Sequence, residues 1–376
     1  MDIIFTIGIF LSFFQFILLL NKKSKTLPDK VLACWMCIIG IHLTSYYLYY
    51  LGYWNRYPHM VGITAPFPLL HGPMLYLYTL TSLKNSSHLR RIDYLHFMPT
   101  ILSYLYMFKF YFFYTAEQKR LVDNGSVDDF SVFSIILLIA FMVSGIAYSL
   151  FSYRLANKHK FLVDNNFSYD ERINLTWLQN CIWGTGIIFL TIVAIIVSRD
   201  FLGIEYHFNA DLIFYSMLVL AILALGYFGI RHRGIFIDNV VIEEPTISKS
   251  RSRGEYKNSG LKEVMAQDAH QKLLEIMSEQ KPYLEPKLTL NNLAKMMDIS
   301  PNHLSQIINQ QQNQNFHDFI NKYRIEEFIN NAAKNSNYSI LANALSSGFN
   351  SKSSFNGVFK KFKGMPPSQY MSEFRN

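Results

Sequence analysis

A bilayer core about 30 Å thick is crossed by roughly 20 residues of apolar helix, and seven stretches of this chain are apolar over about that length: 3–20, 31–51, 63–83, 92–111, 131–151, 177–197 and 212–230. Seven such runs cannot stay in water. Only 16% of the residues are charged, against about 25% in a soluble domain. The deficit lies in the first 230 residues. Beyond Ile230 the sequence is polar and ordinary for a soluble domain. The chain therefore reads as a membrane domain (1–230), a linker (231–260) and a soluble domain (261–376).

Basic residues set an expected orientation. Lys22, Lys23 and Lys25 follow the first run, and Asp2 precedes it without a positive flank, so the run is not a cleavable signal peptide. Lys84, Arg90 and Arg91, then Arg154, Lys158, Lys160 and Arg172, then Arg231 and Arg233 fall in the alternate loops. The intervening loops carry Arg56, Lys119, Arg120 and Arg199, mixed with Asp128, Asp129, Asp200 and Asp211. The positive-inside rule then places the N-terminus outside and the C-terminus in the cytoplasm. For a bacterial chain this is a multi-pass protein of the inner membrane.

The runs hold little that suggests chemistry. Cys34 and Cys37 form a C-x-x-C, but it lies inside LACWMCIIGI with no second pair, and reads as small buried residues. His42 and His71 lie within runs. Intramembrane ionisable groups are candidate functional residues. Here a neutral histidine bonded to a neighbouring helix is the plainer reading. A ligand pocket beside APFPLLHGPMLYLY is the alternative, with Pro66, Pro68 and Pro73 freeing backbone groups and Tyr76 and Tyr78 lining a cavity. No Asp, Glu, Lys or Arg sits mid-run, which argues against an ion transporter. No H-E-x-x-H, G-x-S-x-G or P-loop occurs, so no enzyme, metal or cofactor is expected. The net charge of +8 suits anionic lipid or nucleic acid and by itself decides neither. The linker, RHRGIFIDNVVIEEPTISKSRSRGEYKNS, has the Pro, Gly and Ser content of a tether, and IFIDNVVI is its one candidate strand.

Two helix-turn-helix patterns follow. In LTLNNLAKMMDISPNHLSQIINQ, Leu290, Leu293, Ala294 and Met297 make one buried stripe. Asp298 and Ile299 turn the chain, and Ser300 caps a helix with Pro301 at its first position. Leu304, Ile307 and Ile308 face inward. Asn302, Gln306 and Asn309, flanked by His303 and Gln310, face outward, and amides of this kind can pair with adenine in the major groove. In SILANALSSGFNSKSSFNGVFKKFKG, Gly348 ends one helix and Asn350 or Ser351 caps the next. Phe355, Val358, Phe359 and Phe362 face inward. Ser353, Gly357 and Lys360 face outward, with Lys361 and Lys363 near the end to neutralise phosphates. Between the patterns NFHDFINKYRIEEFINNAA reads as one long helix with Phe316, Phe319, Ile320, Tyr323, Ile325 and Phe328 apolar.

These motifs, in this order and spacing from about 273 to 370, resemble the AraC family of bacterial transcription regulators. PFPLLHGPMLYLY, DYLHFMPTIL and EYKNSGL resemble a less familiar group with seven-span membrane N-termini, common among Bacteroidetes. The resemblance implies an all-α fold: a polytopic seven-helix membrane bundle, then a cytoplasmic domain of two helix-turn-helix units joined by a long helix. It implies two recognition helices entering major grooves one turn, roughly 34 Å, apart. Asn302, His303, Gln306 and Asn309 are expected to read bases in the first groove, and Lys352, Ser353, Asn356 and Lys360 to read or grip the second. The expected partners are promoter DNA and the lipid bilayer, with a small-molecule, lipid or membrane-protein signal and a homodimer left open. The second unit departs from the family pattern: Asn343 stands at an apolar position, Gly357 at a basic one, Pro366 at a cap, and AAKNSNY is about two residues short. The departures point to weaker or less specific binding there. They also support an alternative, a membrane receptor or transporter whose degenerate unit binds a protein.

Overall fold

The computed structural model describes residues 2–83, 88–169, 176–206, 211–231, 263–334 and 338–374, and these are helical without a strand. The linker expectation, including the IFIDNVVI strand, lies outside the described residues apart from Arg231. Two compact units emerge. One joins Met1–Asn157 to Leu175–Phe236, and the other joins Lys158–Asn174 to Ile237–Asn376.

The first unit contains α1 (Asp2–Asn21), α2 (Leu27–Tyr50), α3 (Pro68–Leu83), most of α4 (Ser131–Asn166), α5 (Thr176–Ile196) and α6 (Asp211–Arg231). Among the described residues four segments are long and apolar enough to cross a membrane: Asp2–Asn21, Leu27–Tyr50, Ser131–Asn166 and Trp177–Arg199. Their outer faces carry bare apolar side chains, such as Ile3, Phe10 and Ile17 on α1 and Ile135, Ile139 and Val143 on α4. Such surface is stable only against lipid or another apolar partner. A shorter apolar helix covers Tyr215–Gly229 within α6.

Two of the seven apolar runs take another form. The run 63–83 becomes helical only at Pro68, because Pro66 and Pro68 each lack the N–H that a continuing helix donates. The run 92–111 breaks into a 3-10 turn at Arg91–Phe97 and two short helices, Met98–Tyr106 and Phe108–Phe113. Pro99 stands in the first turn of the first of these helices, and Met107 interrupts the pair.

Some polar groups inside this unit find protein partners, while others, such as Gln15 Oε1 and Thr100 Oγ1, have none among the described residues. Gln15 Nε2 on α1 donates to the Ile222 carbonyl on α6 at 3.0 Å. Thr64 Oγ1 donates to Ser45 Oγ at 2.9 Å. Gly145 lets α4 approach α5 so closely that a Cβ there would collide with the Phe189 ring. α2 begins at a capped turn, where Asp29 accepts from the Thr26 N–H at 2.8 Å and pairs with Lys22 at 2.6 Å.

The second unit holds α7 (Glu263–Glu279), α8 (Leu290–Met297), α9 (Pro301–Gln312), α10 (Phe316–Lys334), α11 (Ile340–Ser346), α12 (Lys352–Lys363) and α13 (Pro367–Phe374). It has two cores. Leu273, Leu293, Leu304 and Ile308 centre one. Phe349, Phe355 and Phe359 centre the other. α10 serves both: Phe316, Phe319 and Ile320 enter the first, and Ile325, Phe328 and Ala332 enter the second.

Between the two cores lies Arg324, 1% exposed. Its guanidinium makes one bond for each of its five N–H groups. Nε donates to the Tyr283 carbonyl at 2.8 Å. Nη1 donates to the Ser168 carbonyl at 2.7 Å and to Asn321 Oδ1 at 3.2 Å. Nη2 donates to the Glu285 carbonyl at 2.7 Å and to Ser168 Oγ at 3.0 Å. Burial pulls this guanidinium down to about 10, so it keeps its charge at neutral pH. Ser168 and Phe167 come from the segment that follows α4, far upstream in sequence. Phe167 bridges Thr289, and Ser168 Oγ donates to the Leu288 carbonyl at 2.7 Å. Both side chains are sealed from solvent. Gly348 closes the same junction at φ +90°, where a Cβ would strike the Tyr283 carbonyl.

A fragment spanning 261–376 lacks Phe167 and Ser168. Losing one buried aromatic and the bonds to a buried charge should cost about 3–6 kcal/mol. Urea unfolding of that fragment should shift to a higher midpoint when a 158–174 peptide is added. Equal midpoints with and without the peptide would contradict the packing described here.

Candidate nucleic-acid interface

The first outward face belongs to α9. Ser300 Oγ accepts from the His303 N–H at 3.2 Å and Pro301 follows, which starts the helix as the sequence implies. Asp298 takes a left-handed φ of +57° and sharpens the turn after α8. Lys272 Nζ donates to the Met297 carbonyl there, at 3.1 Å. Leu304, Ile307 and Ile308 are buried, which turns Asn302, His303 and Asn309 outward, with Gln306 half-buried among them. The Asn309 amide donates back to the Ser305 carbonyl at 2.8 Å and must swing away to reach a base. α9 carries no Lys, Arg, Asp or Glu. Its face therefore offers amides and an imidazole, groups that suit base edges better than phosphates.

The second face belongs to α12. Ser351, not Asn350, supplies the cap, with its Oγ accepting from the Ser354 N–H at 3.1 Å. Phe355, Val358 and Phe359 are buried, and Lys352, Ser353, Asn356, Gly357 and Lys360 are exposed. Gly364 ends the helix at φ +77°. The expected contribution of Lys361 and Lys363 to phosphate binding meets competition. Lys361 Nζ holds both Asp318 carboxylate oxygens, at 2.6 and 2.8 Å. The His317 ring and this ammonium keep the Asp318 carboxyl down at about 2. An unfolded aspartate titrates near 3.9, so the pair's stabilisation is complete above that pH and fades only as pH falls toward 2. Lys363 lies over the Tyr370 ring at 5.9 Å. Lys352 and Lys360 are left as the outward cations of the predicted set.

The eight predicted residues thus fall in two patches, one on each core. α10 links those cores over 19 residues, about 28 Å of helix at 1.5 Å per residue. That length is of the order of one DNA turn. The departures of the second unit have structural counterparts. Asn343 is buried with Oδ1 lacking a partner among the described residues. Gly357 is exposed in mid-helix, with nothing near its would-be Cβ. Part of AAKNSNY lies outside the described residues.

One structural group went unremarked in the sequence. Arg324 falls four residues after Ile320 and four before Phe328, on the buried stripe of α10, so the period could have flagged it. Nothing at Phe167 or Ser168 signals their place against it.

Residues 293–373 match the model of a family described as a helix-turn-helix domain. The match takes in α9, α10 and α12, and supports an AraC-type DNA-binding domain. It covers under a quarter of the chain and does not reach Ser168. No curated protein and no solved structure matches.

Four substitutions test this unit. Gly357→Arg should tighten binding to any DNA and steepen the salt dependence by about one counterion. Asn343→Leu should raise unfolding stability by about 1–3 kcal/mol by removing the unpartnered amide. Lys361→Ala should lower DNA affinity less than Lys360→Ala, measured by fluorescence anisotropy at fixed salt. The reverse order would place Lys361 on the phosphates.

Proposed function

We propose that the chain is a membrane-anchored, one-component regulator of bacterial transcription. Its helix-turn-helix unit binds promoter DNA in the cytoplasm, under control of a signal received in or at the membrane. The family match and the two capped outward helices support the DNA-binding part. The observation that carries the membrane coupling is the composition of the second unit, in which Lys158–Asn174 folds with the C-terminal helices. Both pieces must lie on one side of any bilayer. Between them lie α5 and α6, an even number of apolar helices. The basic residues Arg154, Lys158 and Lys160 beside this segment agree with a cytoplasmic side. The proposal keeps seven crossings with the N-terminus outside, the stretches 63–83 and 92–111 crossing as shortened or broken helices.

In this reading Asn302, His303, Gln306 and Asn309 read bases in one major groove. Lys352, Ser353, Asn356 and Lys360 hold the next. A change in the bundle reaches the DNA-binding unit along α4, whose last turns and following segment are part of it. The second reading, a receptor or transporter whose degenerate unit binds a protein, draws support from Asn343 and Gly357.

The test uses the full chain in lipid nanodiscs and a random DNA pool. An enriched site with two half-sites about one turn apart, or one half-site, supports regulation, and absence of enrichment favours the protein-binding reading. Gln306→Ala should change the selected sequence. Lys360→Ala should weaken all sequences alike and flatten the salt slope by about one. Equal losses on selected and random DNA for Gln306→Ala would remove its base-reading role.

A further inference from the structure

Within the first unit, α2, α3, α4, α5 and α6 surround a cavity of about 410 Å³. Cavities of 300–1,000 Å³ with apolar walls and a few fixed polar groups are the usual form of small-molecule sites. Ile39, Leu138, Phe141, Ile188 and Leu225 supply apolar wall, and among the described residues no Asp, Glu, Lys or Arg contributes to it. Tyr76 and Tyr78, which the alternative reading of the sequence places on a cavity wall, are not among the residues lining this one. Tyr76 packs on His96 and Tyr148, and Tyr78 on Trp35 and Trp177.

The polar end of the cavity is a short relay. Trp35 Nε1 donates to His71 Nδ1 at 3.3 Å, and His71 Nε2 lies 3.1 Å from His42 Nδ1. An indole nitrogen only donates, so His71 Nδ1 must accept. In a neutral ring the proton then sits on His71 Nε2 and is donated to His42 Nδ1. The remaining proton sits on His42 Nε2. The relay thus ends in one N–H donor, on a ring that lines the cavity, with no protein partner for that nitrogen among the described residues.

We propose that this cavity binds a neutral, elongated lipophilic molecule whose carbonyl oxygen accepts from His42 Nε2. A carboxylate is disfavoured, because no Lys or Arg among the described residues lines the wall and an unpaired buried anion is costly. The shared chemistry is an acyl chain carrying a ketone or ester, and its source is either the bilayer's own lipid or a free compound. The site supplies the signal in the regulatory reading above and rests on the membrane part of that reading.

The experiment is equilibrium binding of radiolabelled 2-tridecanone, dodecanoate at pH 8 and n-tridecane to the full chain in detergent, without DNA. The ketone should bind saturably and at least tenfold tighter than the carboxylate. His42→Phe should weaken the ketone about 3–10-fold and leave the hydrocarbon unchanged. Ala221→Phe should fill the cavity and remove both. Mass spectrometry of lipid co-purified with the wild type and lost in Ala221→Phe separates the sources. A phospholipid marks the bilayer's ester, and another neutral carbonyl compound marks a free ligand. Equal affinity for ketone and carboxylate, no saturable ketone binding, or an unaltered ketone affinity in His42→Phe overturns the proposal. The wild-type comparison needs no variant to fold. DNA selection is a separate measurement, so failure of ligand binding leaves DNA recognition standing, and failure of DNA binding leaves the cavity standing.

Discussion

The guanidinium of Arg324 is the group on which the C-terminal unit depends. A buried cation is tolerated only when its donors are met. Here four of the five acceptors are oxygens of Ser168, Tyr283 and Glu285, three of them backbone carbonyls. The Ser168 carbonyl also accepts from Asn321 Nδ2 and the Glu285 carbonyl from the Leu288 N–H, so the guanidinium joins turns that are already partly tied. The charge therefore draws three separate stretches of chain to one point and welds the two helix-turn-helix cores across α10. Its bonded acceptors are carbonyl, amide and hydroxyl oxygens, and the nearby Glu285 carboxylate adds a charge interaction without a direct bond.

The first unit follows the same rule with neutral groups. Gln15 Nε2, Thr64 Oγ1 and Trp35 Nε1 donate to protein acceptors, and His71 is bonded to His42. In apolar surroundings an unmet polar group is expensive, so these bonds fix the rotation of the helices that carry them. The histidine pair ties α2 to α3 in this way, and it also leaves one donor over. A packing device and a recognition device thus share the same atoms.

Much of the helical architecture was legible in the sequence because its signals are local. Ser300 and Ser351 cap, Gly348 and Gly364 take left-handed φ, and the apolar stripes of α8, α9 and α12 face the cores. The outward positions of Asn302, His303, Asn309, Lys352, Ser353, Asn356 and Lys360 follow from the same periodicity. Asn343 showed as a misplaced amide and is one. What stayed hidden is long-range. Hydropathy does not say that a run containing Pro66 and Pro68 starts its helix late, or that 92–111 breaks into three pieces. It does not say that Lys361 will choose Asp318, forty-three residues away. Phe167 and Ser168 look like ordinary loop residues, since only the fold brings Arg324 to them.

The second unit is discontinuous in sequence, and that has a bearing on how such a protein can be switched off or cut loose. In this chain a cut anywhere between α6 and α7 separates α8 to α13 from Phe167 and Ser168, which remain on the loop after α4. The released piece would carry an exposed cleft and a guanidinium stripped of two acceptors. The packing described for this unit is therefore complete only while the polypeptide is whole.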